Sequence, residues 1–155
     1  MSAPVPSIAI QAEPFDTAAE IARITADLGG RAGAVVTFSG LCRDEGGRLA
    51  ALELEHYPGM AEAELSRVAA EASARWPLQA VRVIHRYGRV RPGDGIVLVI
   101  TVSSHRVAAF EAASFLMDYL KTRAPFWKRE HLADGTTGAW VEATAQDDAA
   151  AGRWG

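Results

Sequence analysis

The sequence predicts a single domain of the α+β class. Strand-like and helix-like segments follow in the order β-α-β-β-α-β-β-α-β-β, which fits that class. A chain of 155 residues can bury one core, and 49% hydrophobic with 23% charged residues is typical of globular proteins. Residues 96–102 form an almost unbroken apolar run, typical of a strand buried on both faces. We expect one domain over 1–155, with 1–6 and 144–155 flexible or docked on a partner.

The first elements carry no recognisable chemistry. Residues 7–11 fit a short strand, and residues 15–28 have the apolar spacing of a helix. Asp16 or Thr17 is the expected N-cap, because a short oxygen-bearing side chain can accept from the first free N–H groups. The glycine pair 29–30 is expected to end this helix.

Two strand-like segments come next, at 34–42 and 49–57, with a turn at 44–47. We expect them to pair as a hairpin whose tip begins at Arg43. A helix is predicted over 60–76. Its expected core residues are Met60, Ala61, Leu65, Val68, Ala69, Ala72 and Trp76.

The central apolar strand leads directly into a third helix. Ser103 or Ser104 is the expected N-cap, and Pro125 disfavours helical geometry before it, so the helix should stop near Arg123. One face of this helix is predicted to be core, and it consists of Phe110, Ala113, Met117 and Leu120. A second, polar face of this helix ends in Lys121. After the helix, a last short strand is expected over 139–143.

The third helix and the segment after it are basic, although the chain has a net charge of −3. His105 and Arg106 lie at the helix start, where backbone N–H groups favour an anion. Lys121 is 15 residues further on, or roughly 22 Å along a straight helix. Lys128 can approach Lys121 if the chain folds back after the helix, and a second subunit could supply what one chain cannot bring together. The alternative is a solvated basic face.

Several function classes are excluded by what the sequence lacks. It has no serine-protease set, P-loop or Rossmann glycine pattern, and His85 and His105 have no partners at metal-ligand spacing. A pI near 5.8 argues against general nucleic-acid binding. No apolar run is long enough to span a bilayer, and the N-terminus does not look like a secretory signal. A single cysteine, Cys42, fits a reducing cytoplasm.

Five segments resemble the large, catalytic subunit of molybdopterin synthase, the MoaE family. They are residues 33–43 (GAVVTFSGLCR), 54–60 (LEHYPGM), 83–86 (VIHR), 103–106 (SSHR) and 115–130 (FLMDYLKTRAPFWKRE). The resemblance implies an α/β-hammerhead-like arrangement, an antiparallel-rich sheet with packed helices. It implies that sulfur passes from the C-terminal thiocarboxylate of a small ubiquitin-like carrier of the MoaD family to cyclic pyranopterin monophosphate, forming the dithiolene of molybdopterin.

The resemblance also implies an assembly, a homodimer that becomes a heterotetramer with two carriers. Neither a cofactor nor a metal is expected in this subunit, since molybdenum would be inserted later by other proteins. Lys121 is the expected main catalytic residue and Lys128 its partner. The other residues expected at the substrate are Leu41, Cys42, Arg43 from the other subunit, His105, Arg106, Arg129 and Glu130.

Two points stay open at this stage. Cys42 is either a reactive thiolate beside Arg43 or, as we favour, a small buried strand residue. The chain could also be a non-catalytic dimeric module that binds a phosphorylated metabolite or a ubiquitin-like tail. The presence of both Lys121 and Lys128 favours the enzyme.

Overall fold

The computed structural model describes residues 6–122, 125–141, 152 and 154, and these form two β-sheets and three α-helices. Residues 1–5 and most of the predicted tail lie outside the described residues. The elements are β1 Ser7–Gln11, α1 Thr17–Thr25, β2 Ala34–Leu41, β3 Leu49–His56, α2 Met60–Arg75, β4 Leu78–Arg86, β5 Gly88–Val90, β6 Gly95–Ser103, α3 Arg106–Thr122 and β7 Phe126–Leu132.

The larger sheet has the strand order β1-β4-β6-β2, and its pairs are antiparallel apart from the parallel β1–β4 pair. The smaller sheet has the order β5-β3-β7 and is antiparallel throughout. The predicted α+β class with antiparallel-rich sheets is therefore confirmed. β6 lies between β4 and β2 and is buried from Val97 to Ser103, as its apolar run predicts.

Helices cover both faces of the larger sheet. α2 and α3 pack on one face, where Phe115 is fully buried among side chains of both helices and of β4 and β6. α1 covers the other face, and its N-cap is Asp16, whose side chain accepts from the backbone N–H of Ala19 at 3.1 Å. The smaller sheet has a satellite core around Cys42, Leu54 and Val90.

The hairpin prediction for the second and third strands is wrong. β2 pairs with β6 in the larger sheet, whereas β3 pairs with β5 and β7 in the smaller one. The chain leaves β2 because Cys42 is held by another loop: its N–H donates to Asp94 O at 2.9 Å, and its carbonyl accepts from Gly93 N at 2.7 Å. The segment after Cys42 therefore crosses between the sheets.

Two predicted core residues lie on the surface, since Phe110 is 61% exposed and Met60 is 57% exposed. Phe110 is five positions from Phe115, which places it almost on the opposite side of α3. Half of the buried residues of α3 are alanines (Ala108, Ala109, Ala112 and Ala113), which let the helix approach its neighbours closely around Phe115. Ala113 and Leu120 are buried as predicted, and Met117 is half-buried.

The boundaries of α3 differ slightly from the prediction. The helix begins at Arg106, and Ser103 still belongs to β6, where its hydroxyl donates to Pro77 O at 2.9 Å. Of the predicted last strand over 139–143, residues 139–141 are described and form one isolated bridge, Val141 with Lys128; a second bridge, Thr137 with His131, precedes it. Within the described part of the chain, no helix is both long enough and apolar enough to cross a membrane.

Candidate functional site

A cavity of about 300 Å³ lies where the two sheets meet the end of α3. β2, β4 and β6 contribute from the larger sheet, β3 and β7 from the smaller one, and α3 contributes its last turns. The crossing segment after β2 forms part of the rim through Arg43 and Glu45. The cavity thus depends on the same crossover that separates β2 from β3.

One row of residues across three neighbouring strands forms the floor of this cavity. Gly40 of β2 pairs with Val97 of β6, and Val97 pairs with His85 of β4. All three line the cavity. A Cβ at Gly40 would lie 2.7 Å from Cγ1 of Val97, so a side chain at this position of the floor would collide with Val97.

Both lysines of the sequence line this cavity. Lys121 is exposed in the last turn of α3, and Lys128 is exposed on β7. The sequence contains fourteen arginines but only these two lysines. This preference for arginine over lysine elsewhere in the chain singles out Lys121 and Lys128, a signal that residue spacing and charge counts did not use.

Four more of the sequence-predicted site residues lie here, namely Leu41, Cys42, Arg43 and Glu130. Arg43 lines the cavity of its own chain, whereas the resemblance implied that it enters from the other subunit. Its side chain is 84% exposed and lies 3.4 Å from Glu45, an exposed ion pair of the kind that contributes little stability.

The thiol of Cys42 is buried in the satellite core of the smaller sheet. The residue is 4% exposed, and burial, followed by the negative charge of Asp94, raises the pKa of the thiol. A thiol kept protonated is a poor nucleophile. The structure therefore supports the reading of Cys42 as a packing residue.

Three predicted site residues do not line the cavity. His105 and Arg106 are exposed at the opposite end of α3. Arg129 is on β7 between Lys128 and Glu130, so strand alternation turns it to the other face. There it donates to Oε1 of Glu53 at 3.0 Å and stacks on the ring of Trp140 at 4.4 Å.

On that face Arg129, Glu53 and His131 form a small charged cluster. Oε1 of Glu53 lies 2.8 Å from Nε2 of His131 and also accepts from Arg129. These two hydrogen bonds, the one from His131 first, lower the pKa of Glu53. The cluster ties β3 to β7 and so supports the strand that carries Lys128.

His85 is a cavity residue to which sequence reasoning gave no role. It is half-buried, and its ring stacks on Phe126 with centroids 3.8 Å apart and an angle of 16°. Burial lowers the pKa of His85 to about 4, opposed in part by its hydrogen bond to Arg86 O, and the positive charges of Lys121 and His56 lower it further by smaller amounts. The alternation of β4 was the available signal, because it places Val81, Val83 and His85 on one face.

The cavity can bind an anion and handle a proton. Two ammonium groups and Arg43 attract negative charge, and a lysine can stabilise an oxyanion or donate a proton to a leaving oxygen. Among the described residues no group of three or more His, Cys, Asp or Glu side chains is placed to hold a metal ion.

The family comparison agrees with the resemblance in the sequence. The family model described as "MoaE protein" matches residues 10–123, more than half of the chain. A relative from Mesorhizobium japonicum, named molybdopterin synthase catalytic subunit, is 66% identical over 151 residues, covering 96% of this chain and 93% of the relative.

Solved structures agree as well. A MoaE protein from Burkholderia ambifaria superposes with a TM-score of 0.82 at 50% identity and covers 96% of this chain and 97% of its own. The molybdopterin synthase of Staphylococcus aureus gives a TM-score of 0.76 at 30% identity and covers 85% and 94%. On this evidence the chain belongs to the MoaE family.

Proposed function

We propose that this chain is the catalytic subunit of a molybdopterin synthase. It transfers sulfur from the C-terminal thiocarboxylate of a small ubiquitin-like carrier to cyclic pyranopterin monophosphate and so forms the dithiolene of molybdopterin. The observation that carries the proposal is that both lysines of the chain line one cavity, in a protein 66% identical to a relative named as this subunit. We also propose that 1–155 acts as one MoaE-like domain.

Lys121 is the main catalytic residue and Lys128 its partner. A thiocarboxylate is already a nucleophile, so the protein must chiefly hold it against the substrate and stabilise the charge that develops. Lys121 comes from α3 and Lys128 from β7, so their two ammonium groups approach a bound group from different elements. Arg43 adds a third cation at the rim.

His105 and Arg106 bind the phosphate of the substrate in the cavity of a second copy of the chain. Within one chain they lie roughly 22 Å from Lys121, too far for one small ligand. A partner copy can bring them there, because they are exposed and sit at a helix start suited to an anion. In this arrangement His105 and Arg106 cross the dimer interface and Arg43 does not.

Exposed apolar side chains mark the surface for this pairing. Val35 and Phe38 of β2 are each 41% exposed, and Val107 and Phe110 of α3 are 59% and 61% exposed. β2 and α3 pack together, and β2 is an edge strand of the larger sheet. Strand alternation places Val35 and Phe38 on opposite faces of that edge, so a partner that contacts both lies along the edge itself. A second copy covering them also covers an unpaired strand edge, which favours a homodimer with one carrier per cavity.

A reconstitution tests the function. The protein is mixed with cyclic pyranopterin monophosphate and a carrier of the MoaD type that ends in a thiocarboxylate, and molybdopterin is measured. The same carrier ending in an ordinary carboxylate is the control. Product with the thiocarboxylate alone is expected. Tight binding of carrier and pterin without product would indicate instead the non-catalytic binding module.

Mixed dimers test the shared cavity. Lys121→Ala and Arg106→Ala inactivate separate parts of each cavity, so either homodimer should be inactive. A dimer with one subunit of each kind has one intact cavity and one doubly defective cavity. Recovery of up to half the activity per mixed dimer is expected. No recovery, in dimers shown to have exchanged subunits, would contradict the crossing of Arg106.

We infer that the reaction takes place in the cytoplasm. The one cysteine is unpaired, and a reducing compartment preserves both this thiol and the sulfur of a thiocarboxylate. Cell fractionation checks this inference, and recovery of the protein from an oxidising compartment would contradict it.

A further inference from the structure

His85 stands between the two elements that carry the lysines. From the cavity floor on β4 its ring stacks against Phe126, two residues before Lys128 on β7. The positive charge of Lys121, at the end of α3, acts on the same ring. No step of the proposed reaction described so far uses this imidazole.

The hydrogen bond of the ring fixes which nitrogen carries the proton. Nδ1 lies 2.8 Å from the backbone oxygen of Arg86. A carbonyl oxygen can only accept, so Nδ1 is the donor and Nε2 holds the free lone pair of the neutral ring. Nδ1 thus donates to the backbone of β4, and Nε2 is the ring atom left to accept a hydrogen bond.

The ring is held in place and remains uncharged. Phe126 covers it with nearly parallel planes, and β4 lies inside the larger sheet between β1 and β6. With a pKa of about 4, His85 is neutral at physiological pH despite the lysine nearby. A neutral, oriented acceptor next to a flexible ammonium can order that ammonium without removing its charge.

We propose that His85 is a positioning residue for Lys121: both line the cavity, and by rotation of its side chain the Lys121 amine donates a hydrogen bond to Nε2, which orders the amine over the cavity floor. This inference rests on the proposed function for its catalytic meaning. Lysine has a long flexible side chain, so an amine without a fixed acceptor samples many positions. A misplacement of about 1 Å can reduce the rate about 100-fold.

Three substitutions separate the acceptor from the shape of the ring. In His85→Asn the amide nitrogen replaces Nδ1 and nothing replaces Nε2. In His85→Gln the longer amide can present an oxygen close to Nε2. His85→Phe keeps the stack on Phe126 and removes both nitrogens. If Nε2 orders Lys121, His85→Asn and His85→Phe should lose about 10- to 100-fold in kcat, with carrier affinity unchanged, and His85→Gln should recover most of it.

A second measurement does not depend on activity. The sequence has only two lysines, so protein made with isotope-labelled lysine gives two sets of side-chain NMR signals, and Lys128→Arg assigns them. The Lys121 signal should be that of an ordered side chain in the wild type and His85→Gln. It should approach that of free lysine in the other two variants.

The outcomes distinguish the two proposals. A wild type that makes no molybdopterin contradicts the proposed function, while loss of Lys121 order in His85→Asn and His85→Phe still supports the positioning role. An active wild type with full activity and unchanged Lys121 signals in His85→Phe overturns the positioning role. So does a His85→Gln variant as impaired as His85→Asn, since the shape of the ring would then be what matters.

Discussion

Gly33→Ala tests how the start of α3 is held in place. A Cβ at this position would lie 1.9 Å from the carbonyl oxygen of Ser104, whereas real Cβ contacts are essentially never under 3.0 Å. The two backbones must therefore separate by at least about 1.1 Å. They are also joined by a hydrogen bond from Gly33 N to Ser103 O at 3.1 Å, which the separation would break. Overpacking typically destabilises by about 1–3 kcal/mol, and a backbone obstacle places this variant near about 3 kcal/mol.

Urea unfolding of Gly33→Ala beside Gly30→Ala measures this effect. Gly30 is three residues earlier, and a Cβ there would meet nothing within 4 Å, so its variant should stay within about 0.5 kcal/mol of the wild type. Because Ser104 directly precedes His105, the displacement should also reduce molybdopterin formation. Two variants that differ by less than about 1 kcal/mol would refute the close approach between Gly33 and Ser104.

Three further predictions concern the cavity and its support. Gly40→Ala places a methyl group 2.7 Å from Val97 Cγ1, so pterin binding should weaken several-fold by calorimetry, and unchanged binding would argue against this floor. Hydrogen bonds from His131 and Arg129 depress the pKa of Glu53, so its contribution to stability is present at pH 7 and is lost as the pH falls below about 4.5. Glu53→Gln should therefore lower the urea midpoint at pH 7 and much less at about pH 3, and an equal loss at both pH values would be inconsistent with this reasoning. Cys42, buried and with a raised thiol pKa, should react with iodoacetamide far more slowly in the native protein than in urea, and equal rates would mean that it is accessible.

Local signals in the sequence predicted where helices begin and end. Asp16 caps α1 as predicted, and Pro125 follows an α3 that ends at Thr122, the last residue described before the gap at 123–124. Strand pairing is a different matter, because it depends on residues far apart in the chain. The 34–42 and 49–57 segments look like a hairpin, yet the hydrogen bonds of Cys42 to the loop at 93–94 send them into different sheets.

The sequence predicted only part of the site, because the site too depends on contacts between residues far apart in the chain. Resemblance brought Lys121, Lys128 and Arg43 together, and the cavity contains all three. Strand alternation would have set Arg129 apart from Lys128, since neighbours on β7 face opposite ways. Strand alternation places His85 on the same face of β4 as Val81 and Val83, but its relation to Lys121 arises only when α3 packs on that face.

Single-turnover sulfur transfer by Lys121→Ala tests the central claim most directly. The carrier bears isotopically labelled sulfur in its thiocarboxylate, and label in the pterin product is followed with time. Arg67→Ala is the matched control, because it removes a cation from the surface of α2 that pairs only with Glu64 and Glu71 among the described side chains. We expect Lys121→Ala to slow transfer by about 100-fold or more and Arg67→Ala to stay near the wild-type rate. Transfer by Lys121→Ala at the wild-type rate would contradict the claim that this cavity lysine carries the reaction.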